Sequence, residues 1–228
     1  MAVDPRAHVY RHEPHFAAEQ LILDRFVSSG DTALDVGTGA VGRTARRLRD
    51  ADAVVTSIDI SAGSVTEFAT HDDRTSIALA VGDLMSLPMG DDSFDIVFVG
   101  FHGLDYLTEP SDRRRALTEA ARVLRPGGRL VLNCFNKQAL WMSPRGFKTR
   151  SSAASRVRHF TSGDAFRPTP VDGNGLRLAN RTLGSLIAEV ESTTDLRWKL
   201  SVDLDGVERP LRLTKATSIE PYTVFARS

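Results

Sequence analysis

The run Ala33-Leu34-Asp35-Val36-Gly37-Thr38-Gly39-Ala40-Val41-Gly42 constrains this chain more than any other stretch. An apolar segment meets an acidic residue, then three glycines, and a helix-like segment follows. Glycines at that spacing let a backbone turn sharply and approach a ligand where a side chain would collide. Strand, glycine turn and helix N-terminus together predict a nucleotide or nucleoside site in an α/β fold. Gly37-x-Gly39-x-x-Gly42 also satisfies the dinucleotide fingerprint, with Asp59 about 20 residues on as a ribose ligand. The glycines alone therefore leave an NAD-dependent oxidoreductase open.

Three further features move the reading elsewhere. Asp35 sits just before the first glycine, where a dinucleotide site usually has an apolar or small residue. Gly82-Asp83 ends a second apolar run, Ile77-Ala78-Leu79-Ala80-Val81, and Leu124-Arg125-Pro126-Gly127-Gly128 leads into Leu130-Val131-Leu132. No Tyr-x-x-x-Lys pair is evident. With Ser57-Ile58-Asp59-Ile60-Ser61, Leu87-Pro88 and Ser93-Phe94-Asp95-Ile96-Val97 between them, these motifs form an ordered series over roughly residues 30–136. In that series the chain resembles the class I S-adenosylmethionine-dependent methyltransferases. It departs at one point: the family's third glycine stands two residues after the second, whereas Ala40 and Val41 push it here to Gly42.

The resemblance implies a Rossmann-like, doubly wound α/β fold whose seven-stranded sheet is mainly parallel with an antiparallel last strand. It implies S-adenosyl-L-methionine as cofactor, its methionine portion held by the loop Asp35 to Gly39, including Gly37 and Thr38. By the same carry-over Asp59 accepts from both ribose hydroxyls, a task that suits an acceptor-only carboxylate. Asp83 accepts from the adenine amine, Leu84 supplies a backbone contact, and Ile60 and Gly100 complete the cofactor pocket. Asx turns and helix caps are the structural alternative for each aspartate.

Basic and acidic residues balance at 29 each, so no whole-chain field favours nucleic acid or an anionic membrane. An RNA or protein methyltransferase would have to rely on a local basic loop and bind polyanions in a salt-dependent way. The single cysteine, Cys134, excludes an intramolecular disulfide and reads as a small buried hydrophobe at the end of a strand. No apolar run has membrane-spanning length, and Met1 to Tyr10 lacks a signal-peptide core, so a cytoplasmic location is expected.

Hydrophobic patterning predicts one domain over 1–228, with an N-terminal cap or helix in 1–29 and an irregular acceptor-side loop or lid over 137–178. Helices are predicted over Phe16–Val27, from about Gly42 to Leu48, after a cap at Ser61 and after a cap at Ser111, with Leu124 on the apolar side of the last. Strands are predicted at Ala33–Val36, Val54–Ile60, up to Val81, at Phe94–Val99 and after Gly127-Gly128. Leu183, Leu186, Ile187 and Val190 mark a further helix. Trp198–Leu204, followed by the turn pair Asp205-Gly206, and Tyr222–Ala226 then read as the last two strands, which fits the closing hairpin that the resemblance implies.

Methyl transfer from a sulfonium is an in-line displacement, and a hydroxyl acceptor also needs a base. Gly100-Phe101-His102-Gly103-Leu104-Asp105-Tyr106, after the fourth strand, is expected to face the methyl group. His102 is the candidate base, the alternative being that it only lines the cofactor pocket; Asp105 orients it or binds the acceptor. Gly103 to Leu107 with Asn136 looks like a subset of the family acting on sugars and natural products, which implies a small-molecule or glycan hydroxyl as acceptor. Arg145, Lys148, Arg150, Arg156, Arg158 and Arg167, against Asp164, suit an anionic acceptor or a solvated loop. Arg43, Arg46, Arg47 and Arg49 read as a solvated helix face. His8, His12 and His15 lack the carboxylate or cysteine cluster that would complete a metal site, and the segment around Tyr10 and Arg11 is expected to close over the cofactor. A non-catalytic nucleoside binder stays open.

Overall fold

Strands rich in Val, Ile, Leu and Phe alternate along the chain with amphipathic helices, a pattern that buries a parallel sheet between helical layers. The computed structural model describes residues 16–71, 76–142, 178–179, 181–218 and 220–228. The strands are β1 (Thr32–Val36), β2 (Val54–Asp59), β3 (Ile77–Val81), β4 (Phe94–Val99), β5 (Leu124–Asn133), β6 (Leu196–Val202) and β7 (Tyr222–Arg227). They form one sheet in the order β3-β2-β1-β4-β5-β7-β6. Neighbours pair in parallel except β7, which lies antiparallel between β5 and β6. The described helices are α1 (Ala17–Phe26), α2 (Arg43–Asp50), α3 (Ala62–His71), α4 (Pro110–Val123), α5 (Lys137–Met142), α6 (Leu183–Thr193) and α7 (Leu211–Thr217).

Strand residues alternate between faces, so each strand feeds two cores. Leu34, Val97, Leu130 and Phe225 pack with Leu117 and Ala120 of α4 and Leu186 and Val190 of α6. Ala33, Val55, Ile96, Phe98 and Val131 pack on the other face with Ile22 of α1, Leu48 of α2 and Phe68 of α3. Complete burial of each Leu, Ile or Phe is worth roughly 1.5–3 kcal/mol against exposure.

Several boundaries differ from the sequence reading. Ser61 caps α3 as expected, its Oγ accepting from Ser64 N at 3.3 Å. Ser111 does not cap α4: Pro110 opens that helix after Glu109, because its fixed φ suits a first helical position. Leu124 belongs to the sheet, paired with Phe94, and Gly127-Gly128 form a bulge inside β5 rather than a stop before it. Gly127 has φ +81°, and a Cβ at Gly128 would stand 2.9 Å from Arg125 O. β6 starts two residues earlier than predicted, and its link to β7 contains α7 rather than a tight hairpin. Only Thr214 of α7 is buried, so no apolar stripe announces that helix. The stretch expected to be irregular from Lys137 opens with α5.

The arginines of α2 are not a solvated face. Glu19 of α1, 1% exposed, accepts from Arg43 Nη2 at 2.6 Å, Arg47 Nη1 at 3.1 Å and Tyr222 Oη at 2.5 Å. Arg47 Nη2 also donates to Gln20 Oε1 at 2.8 Å. The Arg43 guanidinium stacks 4.2 Å from the Phe101 ring centroid. Their partners come from α1 and β7, far away in sequence, which is why a helical wheel misplaces them. His8, His12, His15 and the basic stretch Arg145 to Arg167 lie outside the described residues.

Candidate functional site

The strand order reverses between β1 and β4, whose ends sit side by side with Val36 opposite Val99. In an open α/β sheet a ligand binds in that crevice, beyond the strand carboxyl ends. The turn after β1 lies here. Gly37 N and Thr38 N donate to Ile58 O at 2.8 and 3.1 Å, and Gly39 N donates to Asp59 Oδ2 at 2.9 Å. These three N–H groups face β2, so they are not aimed at a pyrophosphate as a dinucleotide site requires. Gly37 and Gly39 have φ +82° and +59°, and a Cβ on either would meet nothing within 4 Å. The turn thus presents bare backbone to open space. Gly42 differs: its Cβ would fall 2.1 Å from Phe68 Cζ. The displaced third glycine is a packing residue between α2 and α3, which accounts for its departure from the family spacing.

Asp35 is 1% exposed and accepts from Ser57 Oγ at 2.6 Å. Burial pushes its carboxyl up to about 6 despite that hydrogen bond. Thr38 is buried beside it, and its hydroxyl, like that of Ser57, holds the Asp35 carboxyl down against the effect of burial. Bare glycine backbone in left-handed conformations, beside a buried hydroxyl and carboxyl, fits a polar ligand portion docking against the turn.

Asp59 closes β2, and its Oδ1 accepts from Ser61 N at 2.8 Å. Asp83, beyond β3, accepts from Met85 N at 2.8 Å through Oδ1, and its Oδ2 takes no hydrogen bond from a described residue. Both aspartates therefore make the Asx turns of the structural alternative, yet each keeps acceptor capacity. Beside them Ile60 and Val81 are 71% and 54% exposed, an apolar step flanked by two carboxylates. The Leu84 side chain turns into the core. Gly100 follows β4 beside α2, where a Cβ would lie 3.5 Å from Thr44 Oγ1.

Phe101 and His102 follow with φ +44° and +60°, two consecutive non-glycine residues in the left-handed region. Such conformations cost on the order of 1–2 kcal/mol each and cluster at functional sites. His102 Nδ1 lies 3.3 Å from Asp105 Oδ2, and Nε2 lies 4.0 Å from Glu220 Oε2. Its ring centroid is 5.1 Å from that of Phe135, just beyond β5. Asp105 is fully buried and accepts from Phe135 N at 2.7 Å and Arg181 Nε at 2.8 Å, with Arg181 Nη2 on the same oxygen as Nε. Burial alone would raise its carboxyl; Arg181, His102 and the Phe135 amide overcome that and hold it lowered. A group so enclosed cannot touch an acceptor, so of its two expected roles only the orienting one is compatible with the geometry.

Arg181 and Glu220 escaped the sequence reading. Arg181 follows an irregular stretch, and the only local signal is the capping box of Thr182 and Ser185 beside it. Glu220 stands before β7, where nothing in the pattern links it to β4. Cys134 is buried, and burial pushes its thiol up, in keeping with an inert core residue. Among the described residues no three His, Cys, Asp or Glu side chains gather as a metal site, and no helix is long and apolar enough to cross a membrane.

Fold and strand-end groups together define an α/β protein with a nucleoside-type crevice. Residues 34–132 match the family described as a methyltransferase domain. That match, the motif series and the sheet topology all agree with a class I S-adenosylmethionine-dependent methyltransferase. It is 39% identical over 142 residues to the 27-O-demethylrifamycin SV methyltransferase of Amycolatopsis mediterranei, covering 59% of this chain and 47% of that one. It is 37% identical over 109 residues to the O-methyltransferase cnsE of Penicillium expansum, covering 46% and 38%. The matched region thus spans less than half the length of these curated relatives. Among solved structures, the CcbJ methyltransferase of Streptomyces caelestis shares the fold at TM-score 0.69 and 18% identity, over 99% of this chain and 98% of that one.

Proposed function

We infer that this chain methylates a hydroxyl oxygen of a small molecule or glycan, with His102 as general base. The observation that carries the reading is the His102–Asp105 pair, 3.3 Å apart just beyond the carboxyl end of β4. Oδ2 of a carboxylate held ionised accepts from Nδ1–H, which leaves the Nε2 lone pair as the basic site. Arg181 holds Asp105 in turn, so the imidazole is oriented from two residues behind.

In this reading the turn from Asp35 through Gly37, Thr38 and Gly39, with Gly100, takes the methionine portion of S-adenosylmethionine. Asp59 takes the ribose hydroxyls, Ile60 and Val81 flank the adenine, Asp83 takes its amine, and Leu84 contributes backbone. When bound, the cofactor supplies an electrophilic methyl carbon on a sulfonium. His102 Nε2 removes the acceptor hydroxyl proton as that oxygen becomes nucleophilic, a contribution of roughly 10²–10⁴-fold. Neutral overall charge, one relative named for 27-O-demethylrifamycin SV and another named an O-methyltransferase support this acceptor class over RNA or protein.

The test is a screen of hydroxyl-bearing acceptors with methyl-labelled S-adenosylmethionine, wild type beside His102→Gln. The expected product carries label in a hydroxide-stable ether. The variant is expected to lose about 10²-fold or more in kcat while binding S-adenosylhomocysteine as wild type does. Label in a base-labile ester or on nitrogen, or a fully active variant, rejects the reading.

A further inference from the structure

His102 is held between two carboxylates that differ in kind. Asp105 lies behind Nδ1, wholly buried and charge-compensated by Arg181. Glu220 lies on the opposite side, 4.0 Å from Nε2, with its side chain 34% exposed. The face of the imidazole that meets an acceptor is therefore also the face of Glu220. Glu220 is anchored for this position by its backbone, whose carbonyl accepts from Asn133 Nδ2 at 3.0 Å at the end of β5. An acceptor hydroxyl has one proton, and here it confronts two acceptors, the Nε2 lone pair and an anionic carboxylate. If it donates to Nε2, its own lone pairs turn toward Glu220, which is repulsive unless a second donor intervenes.

We propose that Glu220 is an acceptor-binding residue that selects substrates carrying a second hydroxyl on the carbon next to the reacting one, that is, vicinal diols. The inference rests on the His102 reading and names the substrate class for the same site. Each diol oxygen, at a hydrogen-bond distance of about 2.8 Å, satisfies one of the two groups, and a gap of 4.0 Å suits two such donors on neighbouring atoms. The hydroxyl beside Nε2 loses its proton there, while the other keeps its proton in a charge-assisted hydrogen bond to Oε2. An anionic group next to the reacting hydroxyl is disfavoured by the same charge, so any anionic part of the acceptor binds farther away. Phe135 against His102, 5.1 Å between ring centroids, supplies an apolar wall that suits either an aromatic or a saturated ring.

The test needs no knowledge of the natural acceptor. Binding of catechol against phenol, and of cis-1,2-cyclohexanediol against cyclohexanol, is measured in the presence of S-adenosylhomocysteine. The proteins are wild type, Glu220→Gln and His102→Gln. Wild type is expected to prefer a diol over its mono-ol by about tenfold or more, and Glu220→Gln to lose most of that preference while binding the mono-ol at least as tightly as wild type does. The pair that shows the preference reports whether the ring is aromatic or saturated. Equal binding of diol and mono-ol, absence of binding to all four, or a preference that survives Glu220→Gln overturns the proposal. Failure of the His102 reading is seen separately, as turnover that survives His102→Gln whatever the diol preference.

Discussion

A single carboxyl gives the site its pH signature. Asp35 is buried with its folded-state value raised to about 6 from an ordinary 3.8. Between those values the folded chain holds a proton that the unfolded chain has lost, so this residue's contribution to stability falls as pH rises through that window. The effect amounts to about 3 kcal/mol by pH 7. Asp105 runs the other way: lowered by Arg181, it stabilises above its unfolded value and loses that contribution as pH falls. Comparing wild type with Asp35→Asn isolates the first effect. Melting curves are expected to show the variant gaining on wild type by roughly 6–12 °C between pH 4 and pH 7. A constant offset across that range would place the Asp35 carboxyl in a more solvated setting than its burial indicates.

At the scale of elements, the glycine turn divides its residues between ligand and packing. Gly42→Ala would drive a methyl into the Phe68 ring at a left-handed position and is expected to cost about 3 kcal/mol by urea denaturation. Gly37→Ala meets open space and is expected to cost only about 1–2 kcal/mol of backbone strain. It should nevertheless weaken S-adenosylhomocysteine binding on the order of tenfold in calorimetry, since the methyl fills the ligand's side of the turn. The contrast also marks what was legible in advance. Apolar strands, the switch from period 2 to period 3.6 and the aspartates at strand ends were readable because each is local. Gly42 carried no such information about its neighbour, because Phe68 reaches it only through the packing of α3 on α2. The same holds for Arg181 against Asp105, Glu220 beside His102 and the arginines of α2: each depends on a partner from a distant element. Pro110 and the β5 bulge misled for a different reason, since proline and glycine pairs punctuate loops as often as they shape elements.

Across the whole molecule, Glu19 of α1 joins three elements in two layers, accepting from α2 arginines and from the Tyr222 hydroxyl of β7. Glu19→Gln leaves buried guanidinium charge without its counter-ion and is expected to destabilise by about 3–5 kcal/mol, read as a lower urea midpoint at unchanged slope. Tyr222 opens the strand on which the far side of the sheet depends. β6 touches the sheet only through β7, so a protease nick that released Tyr222–Arg227 would cast off two strands together and unpin α1 as well. It would also bare the long flank of β5, whose unpaired peptide groups form a template for any passing chain. Six residues outside the candidate site thus keep that edge covered.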